Sequence, residues 1–170
     1  MLHARDLLDH AARLVTAHGA TEADFRRAVS ASYYAVFHLI GTSVAEQACP
    51  PSPIGLRGRF QRGLEHGIMK KAMEPFRNKQ NFPVHSAHLG VLCRYSPDLA
   101  EVAEMFDELQ DARQVADYDI EDSKGMVGLS WASNCVNKAE RLFDAWNRVK
   151  ASDEAKFFLA SLIFGNKWSR

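Results

Sequence analysis

The chain has 170 residues, 46% of them apolar, with 21 Lys plus Arg against 21 Asp plus Glu and only 3 Cys. A chain of this length buries roughly 70% of its unfolded surface, so folding requires no disulfide or metal, and the apolar content excludes an intrinsically disordered chain. No uninterrupted apolar run reaches the ~18 residues of a membrane helix, and residues 1–10 place acids and histidines where a secretory leader has a basic tip and an apolar run, so a cytoplasmic protein without a membrane partner is expected.

Apolar residues recur at helical spacing almost throughout. Leu7, Leu8, Ala11, Leu14 and Val15, followed by Gly19, predict a first helix over about 4–18. Thr21 opens a second, with Glu22 and Asp24 in the dipole-favoured first turn. Its two adjacent stripes, Phe25, Val29, Ser32, Val36, Leu39 and Tyr33, Phe37, Ile40, Val44, mark a helix central to a bundle, ending near Ala48 ahead of the prolines at 50, 51 and 53. A third helix is expected over 59–72, weakened by Gly63 and Gly67. Residues 74–97 contain Pro75, Pro83, Gly90 and Pro97 and predict a long irregular stretch, with one helical turn around 87–92. Asp98 followed by Glu101 predicts a capping box opening a fourth helix, which buries Leu99, Val102, Ala103, Phe106 and Leu109 up to about Val115. A fifth helix is expected over 123–149, and Ser152 caps a sixth over 154–163. No strand pattern, repeat or low-complexity tract interrupts them. The expectation is an all-α single domain over 1–170: an up-down bundle of four to five helices over about 4–150, with a short extra C-terminal helix at about 152–165.

The zero net charge is a sum over unlike segments: residues 1–56 carry −1, 57–94 carry +6, 95–122 carry −9 and 123–170 carry +4. Phosphate loops, dinucleotide-binding glycines, zinc-protease pairs and nucleophile elbows are all absent. His85 and His88, three apart, have no carboxylate or thiol at ligand spacing apart from Cys93, and Cys49, Cys93 and Cys135 show no Cys-x-x-Cys, so no metal and no cofactor is expected. Two constellations stand out. Arg27, Ala31, Tyr34 and His38 fall within about 60° of one another on the second helix, with Ser30 at the edge. Near the end of the fourth, Arg113 stands alone among the ten acids of residues 95–122, with Asp117 as its i,i+4 partner. For Arg27, Tyr34 and His38 the structural alternative is an ion pair from Arg27 and packed aromatics with hydrogen-bonded tips. For Arg113 it is an ion-pair network, set against a guanidinium fork that faces a phosphate or a dimer partner.

Residues 26–38, Arg-Arg-Ala-Val-Ser-Ala-Ser-Tyr-Tyr-Ala-Val-Phe-His, followed by residues 112–119, Ala-Arg-Gln-Val-Ala-Asp-Tyr-Asp, resemble the HEPN superfamily of helical bundles. The resemblance covers about residues 4–150 and implies a bundle that forms a symmetric homodimer. Many members are metal-independent ribonucleases of toxin–antitoxin, CRISPR and other defence systems; others bind RNA, nucleotides or proteins without cleaving. The ribonucleases carry Arg-x(4–6)-His, the arginine for phosphate and the histidine to activate the ribose 2′-hydroxyl. Arg113 matches that arginine, but the three histidine positions hold Tyr118, Asp119 and Ile120. Tyrosine, whose ordinary pKa is near 10, is a poor general base, which leaves His38 or His66 as substitutes only if the fold brings one of them to Arg113.

The resemblance with that departure implies a non-catalytic RNA- or nucleotide-binding homodimer of a toxin–antitoxin, defence or stress module. The basic segment supports it: Arg57, Arg59, Arg62, Lys70, Lys71, Arg77 and Lys79, with Phe60, Phe76 and Phe82, suit phosphate contact and base stacking. The alternatives are a ribonuclease toxin using Arg113 and Tyr118, for which a nucleotidyltransferase-type antitoxin is the implied partner, and a protein-interaction module whose acidic segment docks on the basic segment of a second copy.

Overall fold

A computed structural model describes residues 3–49, 55–80, 82, 94–119, 121–122 and 125–164. Among them the regular structure is entirely helical: α1 (Ala4–Thr16), α2 (Glu22–Ala48), α3 (Leu56–Arg62), α4 (His66–Arg77), α5 (Pro97–Tyr118), α6 (Leu129–Val149) and α7 (Asp153–Phe164). The all-α expectation therefore holds.

Helix ends follow local chemistry. Thr21 caps α2: its Oγ1 accepts the Asp24 N–H at 3.4 Å, while the Asp24 carboxylate takes the Thr21 N–H at 2.8 Å. Ser152 caps α7 through the Ala155 N–H at 3.0 Å. Three expectations are corrected. The single helix over 59–72 is two, because Gly63 closes α3 by donating to the Arg59 and Phe60 carbonyls. α4 then runs on through Pro75 to Arg77, forfeiting one backbone bond close to its C-terminus. At α5 the cap is Ser96, whose Oγ accepts the Leu99 N–H at 3.3 Å, with Pro97 in the first helical position; Asp98 and Glu101 instead hold Arg148 at 2.8 and 3.3 Å. The start of α6 is also later than expected. Asp122, at φ 45°, accepts the Met126 and Val127 N–H groups, and Gly125 follows at φ 59°, so the helix begins only at Leu129. Residues 83–93, including the expected turn at 87–92, His85, His88 and Cys93, lie outside the described residues.

The chain divides into two compact units, each discontinuous in sequence, with α2, α5 and α6 contributing to both. Unit one comprises Met1–His38 and Met105–Phe143. Its interior holds Leu8, Ala11, Val29, Tyr33, Phe106, Leu109, Ala139 and Leu142, with the Tyr33 and Phe106 rings edge to face at 5.6 Å. Arg5 forks onto Glu140 at 2.7 and 3.0 Å and also reaches Asp9 at 2.9 Å. Unit two comprises Leu39–Glu104 and Asp144–Arg170. Phe76 anchors it, 5.0 Å from Phe158, 5.7 Å from Phe157 and 5.6 Å from Phe82. The aromatic C-terminal helix is thus core: Phe157, Phe158 and Leu162 are buried, and only Phe164 is largely exposed. Trp146 completes this cluster and donates its indole N–H to Ser43 at 3.1 Å.

Among the described residues α2 alone has the length and apolarity to cross a membrane, yet 61% of its most apolar window is buried within the protein. Its two stripes account for this, since Val29, Ser32, Tyr33, Val36, Ile40 and Val44 are all fully buried.

Candidate functional site

Within unit one the two constellations meet. The side chain of Arg113, 20% exposed, donates from Nη2 to the Tyr34 hydroxyl at 3.0 Å, and its guanidinium carbon lies 5.6 Å from the Tyr34 ring. Arg113 Nε sits 2.6 Å from Asp117 Oδ2, an ionic contact too bent to be a hydrogen bond, and the Ser30 hydroxyl donates to the other oxygen of Asp117. The Tyr118 ring, 69% exposed, lies 5.4 Å from the same guanidinium carbon. Pairing 34 with 113 and 30 with 117 sets this part of α2 antiparallel to α5.

The cation is firmly held. Burial alone would lower the Arg113 pKa, but Tyr34, Asp117 and Tyr118 outweigh it and hold the guanidinium above its ordinary value. Tyr33, the neighbour of Tyr34, is pushed up by its own burial, with Arg113 pulling the other way. Arg113 Nη1 donates to no described residue. The guanidinium is fixed on one edge and keeps donors for an anion on the other. An open depression on α5 is lined by Asp111, Arg113, Gln114, Val115, Tyr118 and Asp119.

The remaining positions divide. Arg27 is exposed and pairs with no described residue, so the ion pair weighed for it is absent. Its neighbour Arg26 makes the interhelical contact: Nη1 donates to the carbonyls of Asp119 at 2.8 Å, Ala116 at 3.3 Å and Val115 at 3.4 Å, and Nε pairs with Glu22 at 2.8 Å. Arg26 thus closes the C-terminal end of α5 that carries Asp117 and Tyr118. Sequence reasoning passed it over; the signal was its position next to Arg27, where helix rotation alone selects which arginine turns inward. His38, one turn beyond Tyr34, is exposed with one side against Phe37 at 5.8 Å, and partial burial lowers its pKa, so the imidazole is neutral at pH 7. Its hydrogen-bonded packing is not observed. His66 lies on α4 of unit two.

In unit two, Arg77 ends α4 in an exposed position, and exposed Lys79 places its Nζ 5.9 Å from the Tyr95 ring. Arg59, Arg62 and Lys71 are exposed as well, whereas Arg57 is tied to the Cys49 carbonyl at 2.9 Å. Phe76 and Phe82, expected as stacking platforms, are core residues: α7 covers Phe76 through Phe157 and Phe158, and Phe82 packs against Phe76 and Tyr95. Tyr95 is the ring beside Lys79. Among the described residues no group of three His, Cys, Asp or Glu side chains can hold a metal, and Cys49 and Cys135 are free, buried thiols.

No family model, curated protein or solved structure matches the chain.

Proposed function

We propose that this chain is a non-catalytic RNA-binding protein of HEPN-like type, a homodimeric four- to five-helix bundle serving a toxin–antitoxin, defence or stress module. The observation that carries this reading is the Arg113 arrangement: a guanidinium fixed by Tyr34 and Asp117, with donors to spare and the exposed Tyr118 ring beside it. A pre-oriented fork suits a phosphate, and an exposed ring suits a base or ribose. Exposed Arg27 on the same stripe adds positive charge, and in unit two Lys79 and Tyr95 form a second cation and ring pair, with exposed Arg77 two residues before Lys79. The Arg-x(4–6)-His imidazole has no counterpart at 118–120, so binding without cleavage is the expected outcome.

Fluorescence anisotropy with a labelled single-stranded RNA tests this. Arg113→Ala should weaken binding at least about tenfold and lower the salt slope by about one counterion; unchanged affinity removes the reading. The same titration with ATP separates a mononucleotide ligand from RNA.

One observation favours a second reading, a ribonuclease toxin partnered by a nucleotidyltransferase-type antitoxin: Tyr118 occupies the first histidine position and stands against the Arg113 guanidinium. Total RNA that is cut by the wild type and spared by Arg113→Ala would establish it.

A further inference from the structure

The start of α6 and the four residues before it carry no charge. Residues 125–137, Gly-Met-Val-Gly-Leu-Ser-Trp-Ala-Ser-Asn-Cys-Val-Asn, form a neutral run in a chain that is 25% charged. Ser130, Asn134 and Asn137 recur at spacings of four and three and so share one face of the helix, with Ser133 at its edge. Ser130, Asn134 and Asn137 are exposed, and the side chains of all four make no hydrogen bond with any described residue. Together with Met126 and the half-buried Trp131 they line a shallow depression. Met126 is 43% and Leu129 52% exposed, among the few large apolar side chains left in solvent.

The ends of this face carry opposite charges. Asp122 sits at the start, its carboxylate on the Met126 and Val127 N–H groups, and Arg141 follows Asn137 by four residues on the same face. Asn134 is the midpoint, seven residues after Val127 and seven before Arg141.

From this pattern we infer that the Ser130–Asn134–Asn137 face of α6 is the surface on which a second copy of this chain docks, antiparallel about a two-fold axis at Asn134. A two-fold contact sets each surface against itself, so like charges near the axis would repel and must be absent, while amides and hydroxyls, both donors and acceptors, can pair with their own kind. Antiparallel pairing brings the Asp122 end of one copy to the Arg141 end of the other and opposes the two helix dipoles favourably. Met126, Leu129 and Trp131 supply apolar area beside the polar row. The middle of this face, residues 125–137, offers no cation to phosphate, so a nucleic acid fits it poorly.

This inference rests on the dimer part of the proposed function and is independent of the RNA part. Sedimentation velocity in 50 mM and 500 mM salt, with the wild type and Asn134→Arg, tests it. The wild type should be a dimer at both salts, and Asn134→Arg, which sets two cations against each other at the axis, should weaken association at least tenfold while helicity by circular dichroism is unchanged. In a background in which Cys49, Cys93 and Cys135 are replaced by alanine, Asn134→Cys should form a disulfide-linked dimer on copper-catalysed air oxidation, visible on a non-reducing gel. A wild-type monomer overturns the dimer altogether. A dimer untouched by Asn134→Arg and not cross-linked through Asn134→Cys overturns this surface alone, and a dimer lost at 500 mM salt assigns association to the acidic and basic segments instead.

Discussion

Arg113 on α5 and Tyr34 on α2, 79 positions apart, are joined by one hydrogen bond of 3.0 Å from the guanidinium to the phenol oxygen. The contact ties the two helices of unit one that carry the candidate site, and it makes Tyr34 an acceptor for the cation. Tyr34→Phe keeps the ring under the guanidinium and removes the hydroxyl that accepts this bond. A loss of about 1 kcal/mol in urea denaturation is expected, with RNA affinity reduced less than by Arg113→Ala; equal losses of affinity would mean that ligand binding depends on the Tyr34 hydroxyl as much as on Arg113.

Arg26 satisfies three carbonyls at the end of α5. Arg26→Ala leaves them without that donor and frees the last turn, at a cost of about 2 kcal/mol. Hydrogen exchange should quicken at the amides of residues 116–119 before it does so elsewhere in α5, and an unchanged pattern would show that the backbone alone holds this end.

Phe76 packs against the rings of Phe82, Phe157 and Phe158 in unit two. Phe76→Ala should cost about 3 to 5 kcal/mol, measured as a shift of the urea midpoint. Had this ring been a base-stacking platform, the same change would weaken RNA binding and leave stability nearly intact.

Cys135 is 3% exposed, and burial pushes its thiol from the ordinary 9.0 up to about 11. Below pH 9 the thiol is protonated whether the chain is folded or not, so it adds no pH dependence there. Between about 9 and 11 the unfolded chain releases its proton while the folded chain keeps it, and stability falls by roughly 2 to 3 kcal/mol. Tyr33, also raised by burial, acts in the same direction above pH 10. Denaturation curves from pH 8 to 11 should show the fall, and Cys135→Ala should flatten its onset near pH 9.

Much of the fold was legible because helical burial is periodic: all five apolar residues expected to face inward from α5, Leu99, Val102, Ala103, Phe106 and Leu109, are buried. Arg113 and the Tyr34 stripe were each visible as an odd residue in its surroundings, but their meeting was not, because it depends on the register of one helix against another. The same limit hid Arg26, one residue and 100° from Arg27. Phe76 looked like a surface aromatic beside lysines because the cover that buries it comes from α7, some 80 residues later, and Phe82 is buried in turn against Phe76. Where ends were misplaced, as at Gly63, Ser96 and Asp122, side chains and glycines offered the backbone several equally good stopping points.

Unit one is assembled from two stretches of chain with Leu39–Glu104 between them. During synthesis, α1 and the first part of α2 emerge long before α5 and α6 can cover them. At about 5–20 residues per second the ribosome takes roughly 3 to 13 s to make the intervening stretch. The apolar stripe through Val29, Tyr33 and Val36 must wait that long in the open, so the newborn chain offers chaperones a longer-lived target than the finished protein ever does.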